Sequence, residues 1–367
     1  MTTVTSELPD ADWFRLLRRR LLAWYARHAR ALPWRGSQDP YAVWLSEIML
    51  QQTQVETVIG YFDRFLAAFP TVEALARADE EDVLRLWEGL GYYRRARQLH
   101  RAAGIVAQEH GGRFPRDPAV VRRLPGIGRY TAGAILSIAF DDRQPIIEAN
   151  TLRLWCRLLG YDGDPRSAAG QGLLWAAAEA VLPRRGAGRI NQALMDLGSL
   201  ICTPRAPRCE ECPAANGCLA RSEGRQLEIP LASPKPQVEV VREAAVLVRR
   251  DGRLLMIRWP EGRRWAGLWD FPRFAVRAAN PIELRRELAD GVLAMTGVQV
   301  AAGDRLDVLR HSVTRFRITL ECYAADFLGR RRMTSPTIET RWVPPTAIDE
   351  YPLSSTGRKL SRLAMRL

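Results

Sequence analysis

Four of the six cysteines in this 367-residue chain lie in one short segment, CTPRAPRCEECPAANGC, with the spacing C-x6-C-x2-C-x5-C. Zinc sites usually pair two short C-x2–4-C segments across a longer gap. Here all four cysteines close a single loop, which favours a 4Fe–4S cluster with four thiolate ligands. A zinc ion and four buried thiols are the alternatives. The predicted ligands are Cys202, Cys209, Cys212 and Cys218.

One glutamate, Glu47, lies among apolar residues in the segment WLSEIML. The commonest place for a single glutamate on a helix is the solvent-exposed face. If Glu47 is buried instead, its apolar surroundings raise the pKa of the carboxyl group, which then keeps its proton.

The segment RRLPGIGRYTAGAI, from Arg122 to Ile135, contains a glycine-rich turn followed by a helical pattern. Gly126 and Gly128 can both adopt positive φ and so allow a tight turn. The free N–H groups at the start of the next helix, together with the helix dipole, favour binding of a phosphate. Taken alone, the pattern also fits an ordinary turn between two helices.

The formal net charge of +13 suggests a polyanionic partner, most often nucleic acid. Lys235 and Lys359 are the only lysines. No apolar run reaches the ~18 residues needed to span a bilayer, and the first residues lack the layout of a signal peptide. We therefore expect a cytoplasmic protein without a membrane partner, associated with the nucleoid if it is bacterial.

The elements that must position these residues follow two patterns along the chain. Apolar residues recur at three- and four-residue spacing from residue 12 to about 222, which predicts a succession of helices. After a Pro-rich segment the pattern changes to strands, with a hairpin turn predicted at Asp251–Gly252 and one helix over PIELRRELADGVLAMTG. We predict an all-α domain over 1–224, a linker over 225–239 and a smaller α+β domain over 240–367.

The cysteine loop, directly after INQALMDLGSLIC, resembles the cluster loop of the endonuclease III superfamily of DNA glycosylases, and Arg122 to Ile135 resembles its helix-hairpin-helix. The segments WLSEIMLQQTQV, EGLGYYRRARQLH and LPWR resemble the adenine DNA glycosylase family within it. The resemblance implies an enzyme that acts as a monomer on double-stranded DNA. It would hydrolyse the N-glycosidic bond of adenine mispaired with 8-oxoguanine or guanine.

The resemblance also implies catalytic roles. Glu47 matches the general acid, and Glu148 stands where the family has an aspartate that stabilises the oxocarbenium ion, with Asn150 supporting the start of the helix. Bifunctional members of the superfamily carry a lysine at the position of Tyr130. Since no lysine precedes Lys235, the resemblance implies a monofunctional glycosylase in which Tyr130 lines the pocket.

Further residues are implied to contact DNA. Arg30 and Gln192 would contact the extruded adenine, and Gln52 and Tyr92 would enter the duplex where the base has left. The turn residues Gly126 and Gly128 would approach a phosphate.

The segment GRRWAGLWDFPRF resembles the Nudix-like C-terminal domain of the family, which reads the lesion strand. Val313, Thr314 and Arg315 stand at the tip of the reading hairpin, where only the Thr314 hydroxyl matches the chemistry of the family motif. Two alternatives remain. One is a thymine- or uracil-mismatch glycosylase of the same superfamily, and the other is a non-catalytic iron–sulfur protein that binds DNA.

Overall fold

The computed structural model describes residues 8–231, 237–331 and 338–366. It divides into two compact units. The first comprises Met1–Arg77 and Arg101–Pro234, and the second comprises Ala78–His100 and Lys235–Leu367. Of the predicted linker, residues 232–236 lie outside the described part of the chain, and the predicted domain limits stay a prediction.

The succession of helices predicted for the N-terminal part of the chain is confirmed. The helices are α1 (Ala11–His28), α2 (Pro40–Leu50), α3 (Val55–Ala68), α4 (Val72–Arg77), α5 (Glu80–Leu86), α6 (Arg94–Glu109), α7 (Pro118–Val121), α8 (Arg129–Phe140), α9 (Ala149–Leu158), α10 (Ala168–Ala180), α11 (Ala187–Leu200) and α12 (Leu219–Ser222). Helix α5 and the start of α6 belong to the second unit. In the described residues no helix is both long enough and apolar enough to cross a membrane.

Helices α1, α9, α10 and α11 share one core in the first unit. Leu21, Trp155, Leu174 and Leu197 are fully buried there. Burial of apolar surface stabilises the fold by ~25 cal/mol per Å². The core fixes the start of α9 against α11, where Gly198 leaves so little room that an added Cβ would lie 2.9 Å from the carbonyl oxygen of Asn150.

Helix α2 is an interior helix. Its N-cap, Asp39, accepts the N–H of Tyr41 at 3.0 Å, and Pro40 occupies the first turn, where no N–H is needed. Every residue from Tyr41 to Met49 is buried, which is the pattern of a helix surrounded by protein on all sides. Glu47 is the one charged residue in that stretch, so the helix places a carboxyl group in an apolar interior.

The second unit contains a mixed seven-stranded sheet, so the predicted Nudix-like α+β fold is confirmed. Strand order is β3-β2-β1-β6-β5; β4 also pairs with β1 and β7 with β2, and β1 and β6 run parallel. The strands are β1 (Glu239–Arg250), β2 (Arg253–Arg258), β3 (Trp269–Asp270), β4 (Arg273–Ala275), β5 (Val298–Val313), β6 (Phe316–Arg330) and β7 (Glu339–Val343). Helices α13 (Pro281–Thr296) and α14 (Ser355–Ala364) complete it.

Two hairpin turns test the strand predictions. The turn at Asp251–Gly252 is confirmed, because β1 and β2 pair up to Arg250 and Arg253, and both turn residues have positive φ (48° and 69°). The segment HSVTRFRITLECYAADF alternates like a strand, and the structure divides it between β5 and β6 at the hairpin tip that the resemblance implies. The split occurs at Thr314, whose φ of 53° turns the chain back on itself.

Candidate active site and cysteine loop

The buried Glu47 and the partly buried Tyr130 form a pair between α2 and α8. The Tyr130 hydroxyl donates a hydrogen bond of 2.5 Å to Oε2 of Glu47, and Glu47 is only 4% exposed. Burial raises the pKa of Glu47, opposed by the hydrogen bond from Tyr130 and the charge of Arg35. Burial also raises the pKa of Tyr130 well above its usual value. The pair therefore combines a carboxyl group that resists ionisation with a phenol that stays protonated.

Glu148 lies in a different environment, at the N-cap of α9. Its two carboxylate oxygens accept the N–H groups of Asn150 at 2.7 Å and Thr151 at 2.8 Å. The hydroxyl of Thr151 accepts the N–H of Glu148 in return, which completes a capping box. The positive end of the helix dipole favours a negative charge at this point.

The two carboxyl groups are close enough to interact electrostatically, since the charge of Glu148 contributes to the raised pKa of Glu47. The nearby acidic residue Asp141 is engaged elsewhere: it ends α8 with a φ of 57° and accepts the N–H of Gly186 at 2.8 Å.

Arg30 and Arg35 are both held by Asp196, which is fully buried in α11. Arg30 approaches Oδ1 of Asp196 at 2.6 Å and Arg35 approaches the same oxygen at 2.9 Å. Arg35 also donates to the Tyr25 hydroxyl, which donates to Oε1 of Gln192 at 3.0 Å. Arg35, Asp196 and Tyr25 were not among the predicted site residues, although LPWR contains Arg35 and the otherwise apolar helix pattern of INQALMDLG contains Asp196.

A narrow cavity joins these groups. Its lining includes Glu47, Arg30, Arg35 and Gln192, together with apolar side chains such as Trp34. Its volume of about 30 Å³ is close to that of one water molecule. Three of the predicted site residues, Glu47, Arg30 and Gln192, thus face a common space, and a purine could enter only after side chains at its mouth move.

Among the described residues, the helix-hairpin-helix turn differs from its predicted geometry at one glycine. Gly126 has a φ of 80°, as expected for a tight turn. Gly128 has a φ of −90° and is the N-cap of α8, so it adopts an extended conformation open to any residue. An added Cβ on Gly128 would meet no atom within 4 Å. The expectation of positive φ is therefore wrong for Gly128.

All four cysteines of the loop line one small, mainly apolar cavity beside Arg157. Nη1 of Arg157 lies 3.3 Å from Sγ of Cys202, and Sγ of Cys218 lies 3.4 Å from the carbonyl oxygen of Arg157. In the described part of the chain, no group of three or more His, Cys, Asp or Glu side chains is arranged to hold a single metal ion.

The chemistry of this donor set nevertheless fits a cluster. The four thiols converge, and burial raises the pKa of Cys209, Cys212 (to about 12) and Cys218, with the neighbouring sulfurs adding to the shift. As free thiols, Cys209, Cys212 and Cys218 stay protonated. Metal binding would supply the charge that deprotonates them.

Three predicted DNA-contacting residues share an uncommon backbone conformation. Among the described residues, five that are not glycine have positive φ, and two of these are aspartates in turns. The others are Gln52 (φ 59°), Tyr92 (φ 45°) and Thr314 (φ 53°). Such conformations are unfavourable for tyrosine and β-branched threonine and concentrate at functional sites. Gln52 and Thr314 are exposed, and Tyr92 is 46% exposed.

The tip of the β5–β6 hairpin presents polar groups to solvent. The Thr314 hydroxyl donates to the carbonyl oxygen of Val313 at 2.7 Å and remains exposed. Arg315 forms an ion pair of 2.9 Å with Glu239 and lies over the ring of Phe316. Arg315 is thus partly engaged within the unit, whereas the acceptor side of the Thr314 hydroxyl faces outward.

Comparison with known families identifies both units. The family described as HhH-GPD superfamily base excision DNA repair protein matches residues 45–177, and the NUDIX domain family matches residues 243–363. The adenine DNA glycosylase of Rattus norvegicus is 32% identical, over 98% of this chain and 79% of the rat protein. That of Homo sapiens is 31% identical, over 94% and 73%.

Two solved structures share the helical fold. A thermostable thymine-DNA glycosylase is 29% identical with a TM-score of 0.54, covering 58% of this chain and 100% of its own. A trapped endonuclease III–DNA covalent intermediate is 17% identical with a TM-score of 0.51, covering 59% and 99%. The second likeness extends to the fold alone.

Proposed function

Because the chain belongs to the adenine DNA glycosylase family of base excision repair, we propose that it removes adenine mispaired with 8-oxoguanine or guanine in duplex DNA. The enzyme hydrolyses an N-glycosyl bond. The observation that carries the proposal is the buried Glu47, hydrogen-bonded to Tyr130, in a cavity that Arg30 and Gln192 also line. Such a pocket suits a neutral, planar base that must be protonated before it can leave.

The first step needs a proton donor. Glu47 keeps its proton because burial raises its pKa, and it would deliver that proton to a ring nitrogen of adenine. The C–N bond then breaks, and its electron pair leaves with the protonated base. Tyr130, hydrogen-bonded to Oε2, would hold the carboxyl group in place during transfer. Arg30 and Gln192 would orient the base, and Asp196 would hold both Arg30 and Arg35 in position.

Cleavage of the C–N bond leaves an oxocarbenium ion on the sugar, and this cation needs a nearby anion. Glu148 would supply it, held at the start of α9 by the N–H groups of Asn150 and Thr151. Water then adds to the sugar carbon and loses a proton, for which the ionised Glu47 is an available base. The products are free adenine and an abasic site.

We further propose that the strand stays intact. Strand cleavage by this superfamily proceeds through a Schiff base, which requires an amine. At the position where bifunctional members carry the lysine, this chain has Tyr130, whose hydroxyl donates a hydrogen bond to Glu47. Since no lysine precedes Lys235, borohydride should trap no covalent protein–DNA complex during turnover, and Tyr130→Lys should create some trapping.

Cys202, Cys209, Cys212 and Cys218 would hold a 4Fe–4S cluster, which would order the loop that carries Arg205 and Arg208 for contact with the DNA backbone. Purified protein should contain about four irons per chain. Replacing Cys209 with Ser should lower the iron content and weaken DNA binding. Stoichiometric zinc without iron would contradict this part of the proposal.

The test of the proposal is a panel of four duplexes that contain A:8-oxoguanine, A:G, T:G or U:G. We expect adenine release from the first two, no release from the others, and no strand cleavage until the abasic site is treated with base. The resemblance to a thymine-DNA glycosylase makes the T:G duplex a necessary arm. Release of thymine without adenine would favour that second function, and binding without any release would favour a non-catalytic protein.

A further inference from the structure

The loop that carries Tyr92 is held by the first turn of α14, within the second unit. Nε and Nη2 of Arg358 donate to the two carboxylate oxygens of Glu88, both at 2.8 Å. The side chains of Arg358 and Glu88 are only 17% and 19% exposed. A bidentate arginine–carboxylate pair fixes both distance and orientation. Since it is largely withdrawn from water, this pair is a firmer attachment than an exposed ion pair.

Arg358 is itself fixed from the other side. It donates to Oδ1 of Asp349 and, at 3.1 Å, to the carbonyl oxygen of Tyr351. With these partners in place the guanidinium group cannot follow Glu88 if the loop shifts. Arg358 is therefore an anchor point of the C-terminal part of the unit and not a side chain that adapts to the loop.

A second attachment lies on the far side of Tyr92. The hydroxyl of the buried Tyr93 donates to the carbonyl oxygen of Leu353 at 3.2 Å. The N–H of the same Leu353 lies 3.4 Å from Oε2 of Glu88. Residues 353–358 thus contact the chain immediately before the loop and immediately after Tyr92.

Between these attachments the backbone of Tyr92 takes a conformation that a tyrosine would not keep unaided, whereas the two glycines beside it adopt positive φ without strain. Gly89 (φ 101°), Gly91 (φ 67°) and Tyr92 (φ 45°) all have positive φ, and tyrosine rarely adopts this conformation. Arg95, which is buried, donates to the carbonyl oxygens of Leu90 and Gly91 at 3.1 and 3.4 Å. Such conformations persist only where the surrounding structure over-determines them. The result is an exposed aromatic ring on a rigid, externally held turn.

We propose that Arg358 and Tyr93 are positioning residues for Tyr92, and that the C-terminal part of the protein promotes extrusion of the base through them. The inference rests on the proposed function, in which Tyr92 enters the duplex. This contribution is separate from lesion reading at Thr314. Arg358 and Tyr93 would hold Tyr92 in the conformation that enters the base stack. The loop is then already ordered before DNA binds, and no conformational entropy is lost there on binding.

The test uses full-length protein that carries Glu47→Gln, so that no base is removed, and a duplex with 2-aminopurine in place of the target adenine. Its fluorescence rises when the base leaves the stack. Arg358→Gln should lower the extrusion equilibrium about tenfold to a hundredfold, because it removes the bidentate pair and leaves the Glu88 carboxylate without its charged partner. Tyr93→Phe, which removes only a hydroxyl, should lower it less. Iron content and affinity for a fully matched duplex should stay unchanged.

Arg362→Gln, the same substitution at an exposed position of α14, is the matched control and should extrude the base normally. The charge exchange of Glu88→Arg with Arg358→Glu should recover part of the loss, which separates a positioning role from general destabilisation. Tyr92→Ala, which removes the inserted ring itself, shows how much of the extrusion equilibrium depends on Tyr92. If Tyr92→Ala lowers extrusion but Arg358→Gln and Tyr93→Phe do not, the positioning role is wrong. If Tyr92→Ala itself has no effect, the wedge role assigned under the proposed function fails, and the inference fails with it.

Discussion

Glu47 near the end of α2 and Glu148 at the start of α9 are the two carboxyl groups of the proposed active site, and their surroundings are opposite. Glu47 is 4% exposed, its polar neighbour is a phenol, and burial raises its pKa. Glu148 is half-buried and both of its oxygens accept backbone N–H groups at a helix N-terminus. The first environment favours a neutral acid, and the second offers backbone N–H donors to both carboxylate oxygens. One residue type can therefore serve as proton donor and as charge stabiliser because the fold separates their environments.

The largest effect is expected from Glu47→Gln, which removes the proton and hardly changes the shape of the side chain. Single-turnover adenine release should fall by at least the ~10²–10⁴ typical of general acid catalysis. DNA affinity should stay within a few fold. A near-normal rate would mean that the proton comes from another group.

Glu47→Gln also tests the surroundings of Glu47 through the pH dependence of the free energy of unfolding. Because the pKa of Glu47 is raised in the folded state, the folded protein binds its proton more tightly than the unfolded chain does. The free energy of unfolding then falls as pH rises from the unfolded pKa towards the folded pKa. Glu47→Gln removes this penalty, so at neutral pH the variant should melt no lower than the wild type. Thermal melting at two pH values measures this.

A smaller set of changes tests Glu148. Glu148→Ala should be nearly inactive, since it removes the anion, and should also lose about 1 kcal/mol of helix-cap stability. Glu148→Asp keeps both the charge and a good N-cap, so it should keep or raise activity. Glu148→Gln separates the two effects because it preserves the length of the side chain without its charge. Wild-type turnover by Glu148→Ala would require another carboxylate, and Asp142 would be replaced next.

Much of this arrangement follows from local sequence, and part of it does not. The helical succession and the Asp251–Gly252 hairpin could be predicted because periodicity and turn chemistry act over a few residues. The pairing of Arg30 and Arg35 with Asp196 could not, because it joins residues 166 and 161 positions apart. The turn at Thr314 follows from the family resemblance and not from local sequence, since threonine is not a typical turn residue with positive φ.

The smallest effect is expected at the exposed hairpin tip, where neither carboxyl group is involved. Thr314→Ala removes one hydroxyl and should weaken binding to an A:8-oxoguanine duplex by the ~0.5–1.5 kcal/mol of a single hydrogen bond. Val313→Ala should cost less. The preference for A:8-oxoguanine over A:G should be weak from the outset, because the tip has no aromatic residue at position 313. Titrations on the two duplexes at one salt concentration measure both effects.

The control for those titrations is a separate measurement of the rate of adenine release. At saturating enzyme this rate should be the same for Thr314→Ala and the wild type. A strong lesion preference that survives alanine at 313, 314 and 315 together would move recognition away from the hairpin tip.

The division of roles between the two glutamates is tested most directly by the pH dependence of single-turnover adenine release, for the wild type and Tyr130→Phe. A general acid works only while protonated, so the rate should fall as pH rises through the raised pKa of Glu47. The hydrogen bond from Tyr130 lowers that pKa, so Tyr130→Phe should move the fall in rate to higher pH. An unchanged midpoint in Tyr130→Phe, or one displaced to lower pH, would contradict Glu47 as the acid.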